Sequence, residues 1–351
     1  MSRNLQSKSL NLRDYENSAL LIAEVAQAHD GSLGTAHAFV DAAAEAGADA
    51  IKFQTHLAHA ESTLDEPFRL RFSAQDETRY AYWQRMQFSK SQWRELAAHA
   101  NDKGLYFLSS PFSVEAVELL AEIGMPAWKV GSGEVRSNEL LQAMLAAGGP
   151  ILISTGMSPW AEIDQIVQSM QAARAQFALM QCTSRYPTAL EHVGLNVLEE
   201  MSARYDCPLG LSDHSGTPYP ALAALARGVT LLELHVTFDR AMFGPDVPAS
   251  LTFDEFRQVA RARDAFATMR SNPVDKDVMA QELDSMRKIF GKSLALRYEM
   301  RADQILTRED LTTKKPGTGI PSEEAQQVIG RRLARDVPAN RLLRIQDLVQ
   351  D

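Results

Sequence analysis

Residues 19–55 read ALLIAEVAQAHDGSLGTAHAFVDAAAEAGADAIKFQT. Two apolar segments, 19–26 and 48–53, flank a helical pattern over 35–47 that ends on Gly47, a residue typical of helix C-termini. Short apolar segments rich in Ile, Leu, Val or Phe are typical of parallel strands that are buried on both faces. The stretch therefore predicts a strand, a helix and a second strand parallel to the first.

The same alternation of apolar segments and amphipathic helical sequence continues to about residue 268. Six further strands are predicted, over 105–108, 127–130, 151–153, 177–180, 209–211 and 231–236. Eight such units predict a (β/α)8 TIM barrel over residues 1–270, with a doubly wound open sheet as the second choice. The helix near 194–203 has the weakest pattern. The long insertion 55–90 follows the second strand and is expected to form a lid or a binding loop.

Composition limits the class of protein and its partners. The chain has 351 residues, of which 45% are hydrophobic and 23% are charged, as in ordinary globular proteins. Its net charge of −9 argues against nucleic acid or an anionic membrane as a partner. Two cysteines give no disulfide framework, no apolar run is long enough for a membrane span, and residues 1–17 have no apolar core of the kind a signal peptide needs. These features predict a cytoplasmic protein.

The sign of the charge changes near residue 287. Residues 1–286 hold 23 basic and 36 acidic residues, whereas residues 287–351 hold 13 basic and 9 acidic ones. Residues 271–286 are polar, and the part that follows is too short for another half-barrel. The chain is therefore predicted to contain a linker over 271–286 and a small mixed domain over 287–351.

Catalytic and binding groups of a parallel barrel lie at the C-terminal ends of its strands. The polar residues expected at those ends, in chain order, are Glu24, Lys52, Gln54, Ser110, Lys129, Ser132, Glu134, Ser154, Ser184, Tyr186, Ser212, His214, Glu233, His235 and Asp246. Two lysines with several hydroxyls and glycine turns suit a phosphorylated or carboxylated ligand. Two histidines on neighbouring strands, with a carboxylate close by, suit one divalent metal ion with open coordination positions.

Simpler interpretations stand beside these. The two lysines could be salt-bridge partners, and the histidines at 214 and 235 could have no metal to bind. Cys182 is expected to be a small core residue. The remaining histidines are expected to be surface or loop groups: His29, His37, His56, His59, His99 and His192.

Ten segments occur together in one order, and in combination they are highly specific. They are IAEVAQAHDGSLGTA (22–36), EAGADAIKFQT (45–55), FLSSPFS (107–113), WKVGSGE (128–134), ISTGM (153–157), QCTSRYPT (181–188), GLSDHSG (210–216), ELHVTFDR (233–240), FGPDVPASL (243–251) and KPGTGI (315–320). With them the chain resembles the bacterial sialic acid synthases and related nonulosonate synthases that condense phosphoenolpyruvate (PEP). The resemblance implies a TIM barrel with a C-terminal antifreeze-like (SAF) domain and a domain-swapped homodimer.

The resemblance also implies roles for single residues. Positions that hold PEP are matched by Lys52, Ser110, Lys129, Ser132, Ser154, Ser184 and Ser212. His214 and His235 match ligands of Mn²⁺ or Mg²⁺, and Glu134, with Lys129 and Lys52, is the candidate for catalysis. Positions near the sugar are matched by Glu24, Gln54, Tyr186, Asp246 and Lys315.

Departures from the family pattern gather on the sugar side. Leu234, Val247-Pro248 and Ala28 replace residues that are common there, and Lys315 stands where the family has an arginine. Lysine does not make the forked contact that arginine makes. These changes bear on the choice of sugar more than on the type of reaction.

The resemblance implies a metal-dependent transferase that joins PEP to an open-chain N-acylated hexosamine. That sugar would be N-acetylmannosamine or a diacetamido-deoxyhexose, and the products would be a nonulosonic acid and phosphate. Three alternatives stay open. They are a PEP-dependent synthase for another aldose or a sugar phosphate, a Schiff-base aldolase using Lys52 or Lys129, and a non-catalytic barrel that binds sugar or PEP.

Overall fold

The chain divides into two units, residues 1–271 and residues 272–351. The computed structural model describes residues 10–350. Eight parallel strands form the centre of the first unit: β1 Leu20–Ala26, β2 Ala50–Thr55, β3 Tyr106–Pro111, β4 Trp128–Val130, β5 Ile151–Ser154, β6 Phe177–Cys182, β7 Leu209–Asp213 and β8 Leu231–Thr237.

The strands lie in the order β3-β2-β1-β8-β7-β6-β5-β4. Because β1 pairs with both β2 and β8, the first and last strands are neighbours and the sheet curves into a barrel. Within residues 10–350 no ladder joins β3 to β4, so the barrel is nearly closed. The short strand β9, Leu251–Thr252, pairs with β8. The predicted TIM barrel is confirmed, and the open doubly wound sheet was wrong.

Helices follow the strands and cover the barrel. Their bounds are α1 Leu33–Glu45, α2 Ala58–Glu61, α3 Arg79–Met86, α4 Lys90–Asp102, α5 Val114–Ala121, α6 Asn138–Ala147, α7 Trp160–Ala172, α8 Leu195–Arg204, α9 Tyr219–Ala226 and α10 Phe253–Ser271. Helix α4 begins with a capping box in which Ser89 and Gln92 satisfy each other's backbone N–H groups. The insertion after β2 contains α2 and α3. Helix α8 forms where the sequence pattern was weakest.

Successive residues of each strand face opposite sides of the barrel wall. On β8, Leu232, Leu234 and Val236 pack in the outer core beneath the helices. Leu231 belongs instead to an inner cluster that also contains Leu20 on β1 and Leu152 on β5. The inner apolar layer is extended by Leu10, Leu12 and Tyr15, which precede β1 in the chain. Residues two positions beyond the inner layer therefore also face the interior.

The second unit has its own small apolar core, which includes Leu294, Leu311 and Leu343. Its antiparallel strands are β10 Ser293–Leu296 and β11 Leu311–Lys314, and its helices are α11 Lys276–Glu282, α12 Asp284–Phe290 and α13 Ala325–Val328. The segment predicted as a linker, 271–286, thus contains α11 and the start of α12. Across residues 10–350 no helix is both long enough and apolar enough to cross a membrane.

Candidate active site

A cavity of about 510 Å³ opens at the C-terminal ends of the barrel strands. Its volume lies in the range usual for small-molecule sites. Its wall includes these sequence-predicted residues: Glu24, Lys52, Gln54, Ser110, Lys129, Ser132, Glu134, Ser154, Ser184, Tyr186, Ser212, His214, His235 and Asp246. Side chains that are far apart in sequence meet here because every strand contributes its last inward-facing positions.

Two lysines lie at the bottom of the cavity with a carboxylate between them. Lys52 Nζ is 2.8 Å from Glu24 Oε2 and 3.8 Å from Glu233 Oε2, and Lys129 Nζ is 3.5 Å from Glu233 Oε1. Each ammonium also donates to a serine, Lys52 to Ser110 at 3.1 Å and Lys129 to Ser154 at 2.8 Å. All four charged side chains are less than 5% exposed.

Burial and charge oppose each other in this cluster. Burial raises the pKa of Glu24 to about 7, against the lowering effect of Lys52. Burial also acts to raise the pKa of Glu233, but the two ammonium groups lower it below its ordinary value, so Glu233 is ionised. Burial lowers the pKa of Lys129, whereas the two carboxylates raise that of Lys52 in spite of its burial. A dianionic or trianionic ligand would strengthen both ammonium charges.

Hydroxyls and a tight glycine turn line the adjoining wall. The Gly156 N–H donates to Ser132 Oγ at 3.1 Å. A Cβ atom at Gly156 would lie 2.6 Å from Ser184 Oγ and 2.9 Å from Cys182 Sγ, so only glycine leaves these groups room. Cys182, expected in the apolar core, instead lies on the cavity wall, because it is the inward-facing last residue of β6.

Two imidazoles lie side by side above the cluster. The rings of His214 and His235 are 5.1 Å apart between centroids, and the ring of Tyr186 is 4.1 Å from His214 and 5.7 Å from His235. His214 Nδ1 is 3.0 Å from the carbonyl oxygen of Thr183, which can only accept, so this nitrogen carries the proton. Burial and nearby positive charge hold the pKa of His235 well below its ordinary value.

The donor set fits a divalent ion that shares its coordination with a ligand. The hydrogen bond to Thr183 leaves the lone pair of His214 on Nε2, and a neutral imidazole at His235 is the form that binds metals. No group of three or more His, Cys, Asp or Glu side chains among residues 10–350 is placed to hold a metal ion. An ion held by these two imidazoles would therefore need oxygen ligands from substrate or water.

The outer part of the cavity carries four carboxylates, Glu61, Glu66, Glu134 and Asp246. Burial raises the pKa of Glu134, and the neighbouring Glu61 raises it further. Lys129 is not among the groups that shift the pKa of Glu134. Asp246 accepts from Arg69 at 3.3 Å, and the Arg69 guanidinium lies 4.3 Å from the centre of the Tyr186 ring. Arg69 belongs to the insertion 55–90, which thus reaches the cavity as predicted for a binding loop.

Several cavity residues were missed by sequence reasoning. His56 lies in the loop that follows β2, as expected, but it was given no role, and it is buried on the cavity wall. His29 lies in the turn after β1, as expected for a loop group, but it is fully buried beside Phe88 and does not line the cavity. Glu233 was noted without a role, although its spacing of two from His235 puts both on the inner face of β8.

The remaining predicted site residue, Lys315, belongs to the second unit. It follows β11, and its Nζ lies 5.3 Å from the centre of the Phe290 ring. The role that the resemblance gives it, contact with the sugar in a partner subunit, stays a prediction.

Fold and cavity define a (β/α)8 barrel with a buried lysine pair and a histidine pair at its mouth. The profile of the NeuB family matches residues 39–274, and that of the SAF domain matches residues 291–349. The chain therefore belongs to the NeuB family, and it is an enzyme of that family. The resemblance to this family is confirmed, and so are the barrel and the SAF domain that it implied.

Curated relatives match along nearly the whole chain. N,N'-diacetyllegionaminic acid synthase of Campylobacter jejuni is 29% identical, over 93% of this chain and 98% of the relative. The human N-acetylneuraminate-9-phosphate synthase is 31% identical, over 91% of this chain and 89% of the relative. Among solved structures, N-acetylneuraminic acid synthetase from Leptospira borgpetersenii, in complex with citrate, has a TM-score of 0.68 and 26% identity, covering 78% of this chain and 93% of that chain.

Proposed function

We propose that the chain condenses PEP with an open-chain, N-acylated and unphosphorylated hexosamine, giving a nonulosonic acid and phosphate. The observation that carries the proposal is the meeting of two buried ammonium groups and two imidazoles in one cavity of a NeuB-family barrel. Relatives whose names specify legionaminic and neuraminic acids support the class of product.

The lysine cluster is the proposed PEP site. Lys52 and Lys129 would bind its phosphate and carboxylate, with the hydroxyls of Ser110 and Ser154 already oriented toward the ammonium groups. Glu233 keeps the two ammonium groups from repelling each other before the ligand arrives. Held in this way, C3 of PEP would face the end of the cavity where the histidines lie.

The sugar aldehyde would lie between the histidines and Glu134. When bound to His214 and His235, Mn²⁺ or Mg²⁺ would supply a Lewis acid for the aldehyde oxygen. C3 of PEP attacks the aldehyde carbon, water adds at C2, and the C2–O bond to phosphate breaks. Glu134, whose pKa is raised, is suited to hold or release a proton at these carbons near neutral pH.

The human relative's name makes a sugar phosphate the second candidate substrate. The two arginines that reach the outer cavity each have a carboxylate partner, Arg69 with Asp246 and Arg79 with Glu66 at 2.8 Å. Since Glu61 and Glu134 lie there too, this end of the cavity has no excess of positive charge for a second phosphate. This balance favours the unphosphorylated sugar.

The deciding experiment is a substrate panel with phosphate release as the readout. N-acetylmannosamine and a diacetamido-deoxyhexose, each with PEP and Mn²⁺, should release phosphate faster than N-acetylmannosamine phosphate does. Preference for the phosphorylated sugar would overturn the substrate assignment. Borohydride trapping of a keto acid on Lys52 or Lys129 would favour the aldolase, and PEP binding without turnover of any sugar would favour a binding protein.

We also propose a domain-swapped homodimer in which Lys315 reaches the partner's cavity. The match of residues 291–349 to the SAF domain supports this assembly. Analytical ultracentrifugation should give twice the chain mass of 38.8 kDa, and a monomer would overturn the assignment.

A further inference from the structure

His56 occupies an aromatic sandwich at the edge of the cavity. Its ring lies 3.7 Å from that of Trp83 and 4.3 Å from that of Phe112, and its plane is tilted by 15° from the first ring and by 10° from the second. Trp83 belongs to α3 of the insertion, and Phe112 follows β3. Because both faces of the imidazole are covered, only its edge, with Nδ1 and Nε2, is left to form hydrogen bonds.

Both edge nitrogens have partners that matter for the cavity. Nδ1 is 2.5 Å from Glu61 Oε1, and Nε2 is 3.2 Å from Gln54 Oε1. Gln54 donates through Nε2 to Glu24 Oε1 at 3.0 Å, so its Oε1 is the accepting atom. His56 Nε2 must therefore carry a proton and donate to Gln54.

These bonds form one continuous chain from the insertion to the lysine cluster. It runs from Glu61 through His56 and Gln54 to Glu24, which contacts Lys52 at 2.8 Å. Besides His56, the Gln54 oxygen accepts only from Gln27 Nε2, at 3.2 Å, within the part of the chain that the structure describes. Without His56 the Gln54 amide would keep its bonds to Glu24 and Gln27 but lose one of the two donors that hold its oxygen.

We propose that His56 and Glu61 form a positioning pair that fixes the Gln54 amide and thereby tunes binding of the sugar, but not of PEP. This inference rests on the proposed function and on the position beside the sugar that the resemblance gives Gln54, which lines the cavity. His56 itself is a positioning residue, since its own ring is enclosed by Trp83 and Phe112 and its effect passes through Gln54. The pair also ties the insertion to β2, so the insertion and the sugar site are coupled.

Two amide substitutions distinguish the contribution of His56 Nδ1 from that of Nε2. In His56→Gln the amide nitrogen falls near the position of Nε2 and can still donate to Gln54. In His56→Asn it falls near Nδ1, so the link to Glu61 is kept and the link to Gln54 is lost. We expect His56→Asn to raise the KM for the sugar about tenfold, His56→Gln to raise it less, and neither to change the KM for PEP. His59→Asn, at an exposed histidine three residues further on, is the matched control.

The outcomes distinguish this inference from the proposed function. The positioning role would be overturned if His56→Asn and His56→Gln had equal effects, or if the KM for PEP rose in parallel with that for the sugar. Phosphate release by the unaltered enzyme would still uphold the proposed function in that case. If no hexosamine is turned over, binding of N-acetylmannosamine to the unaltered protein and to the His56 variants is compared by saturation-transfer NMR. Equal binding to all of these proteins would overturn the inference. If His56→Asn does not fold, Glu61→Gln should raise the sugar KM alone, and an unchanged value would overturn the pairing.

Discussion

The sharpest consequence of the lysine cluster concerns Lys129→Met, which removes one ammonium group and keeps most of the side-chain volume. Lys129 is buried and is bonded to Ser154 and Glu233, so its charge is held at the cavity without exposure to bulk water. Removing one member of a buried, hydrogen-bonded charge pair between protein and ligand costs about 2–5 kcal/mol. That range corresponds to a loss of about 30- to 5,000-fold in kcat/KM.

The assay is phosphate release from PEP with N-acetylmannosamine and Mn²⁺, with the melting temperature measured on the same samples. Lys129→Met also leaves Glu233 with Lys52 as its remaining cationic neighbour at 3.8 Å, so some loss of stability is expected. Lys103→Met is the control, because Lys103 is an exposed lysine at the C-terminal end of α4 that pairs with Asp41 and does not line the cavity. A folded Lys129→Met enzyme with kcat/KM within threefold of the unaltered enzyme would refute the role of this ammonium group.

Four further predictions test other parts of the reasoning. EDTA should abolish phosphate release and Mn²⁺ should restore it, whereas activity that persists after exhaustive chelation would remove the metal from the proposal. Lys315→Ala should raise the KM for the sugar and leave that for PEP unchanged, as measured by steady-state kinetics; equal changes would contradict the swapped-domain contact. PEP binding near pH 7 should take up protons, because an arriving anion raises the pKa of Glu24 further above about 7, and calorimetry in two buffers of different protonation enthalpy measures this uptake. Asp76→Asn should lower the free energy of unfolding by about 2 kcal/mol, since Asp76 accepts charge-assisted hydrogen bonds from Arg85 at 2.8 Å and from Ser73 at 2.6 Å. Bonding to Arg85 holds the pKa of Asp76 below its ordinary value. The stabilisation from Asp76 is therefore complete at neutral pH and is lost as the pH falls below about 4. Urea unfolding of both proteins at pH 7 and at pH 3.5 measures this loss.

The barrel was predictable because each strand is a short apolar segment and each following helix has its own end signals. The site was less predictable, since strand-end position alone does not say what a side chain touches. His56 shows the limit: nothing in its neighbours along the chain indicates that Trp83 and Phe112 will enclose its ring. Those contacts depend on how the insertion folds back onto β2, and its long, irregular course has no periodic pattern to read.

A spacing rule explains why Glu233 could have been included. Inner apolar residues are followed two positions later by polar ones on strand after strand: Ala50 and Lys52, Leu108 and Ser110, Ala127 and Lys129, Leu152 and Ser154, Leu231 and Glu233.

A carboxylate looks misplaced in a site for anions when it is considered alone. With two buried ammonium groups 3.5 and 3.8 Å away, however, Glu233 offsets a repulsion that would otherwise drive a proton off one lysine before any ligand bound. The charges of Lys52, Lys129, Glu24 and Glu233 sum to zero when all four are ionised. An anion that enters therefore disturbs a balanced cluster, and Glu24, with its pKa of about 7, is the member best placed to restore the balance by taking up a proton.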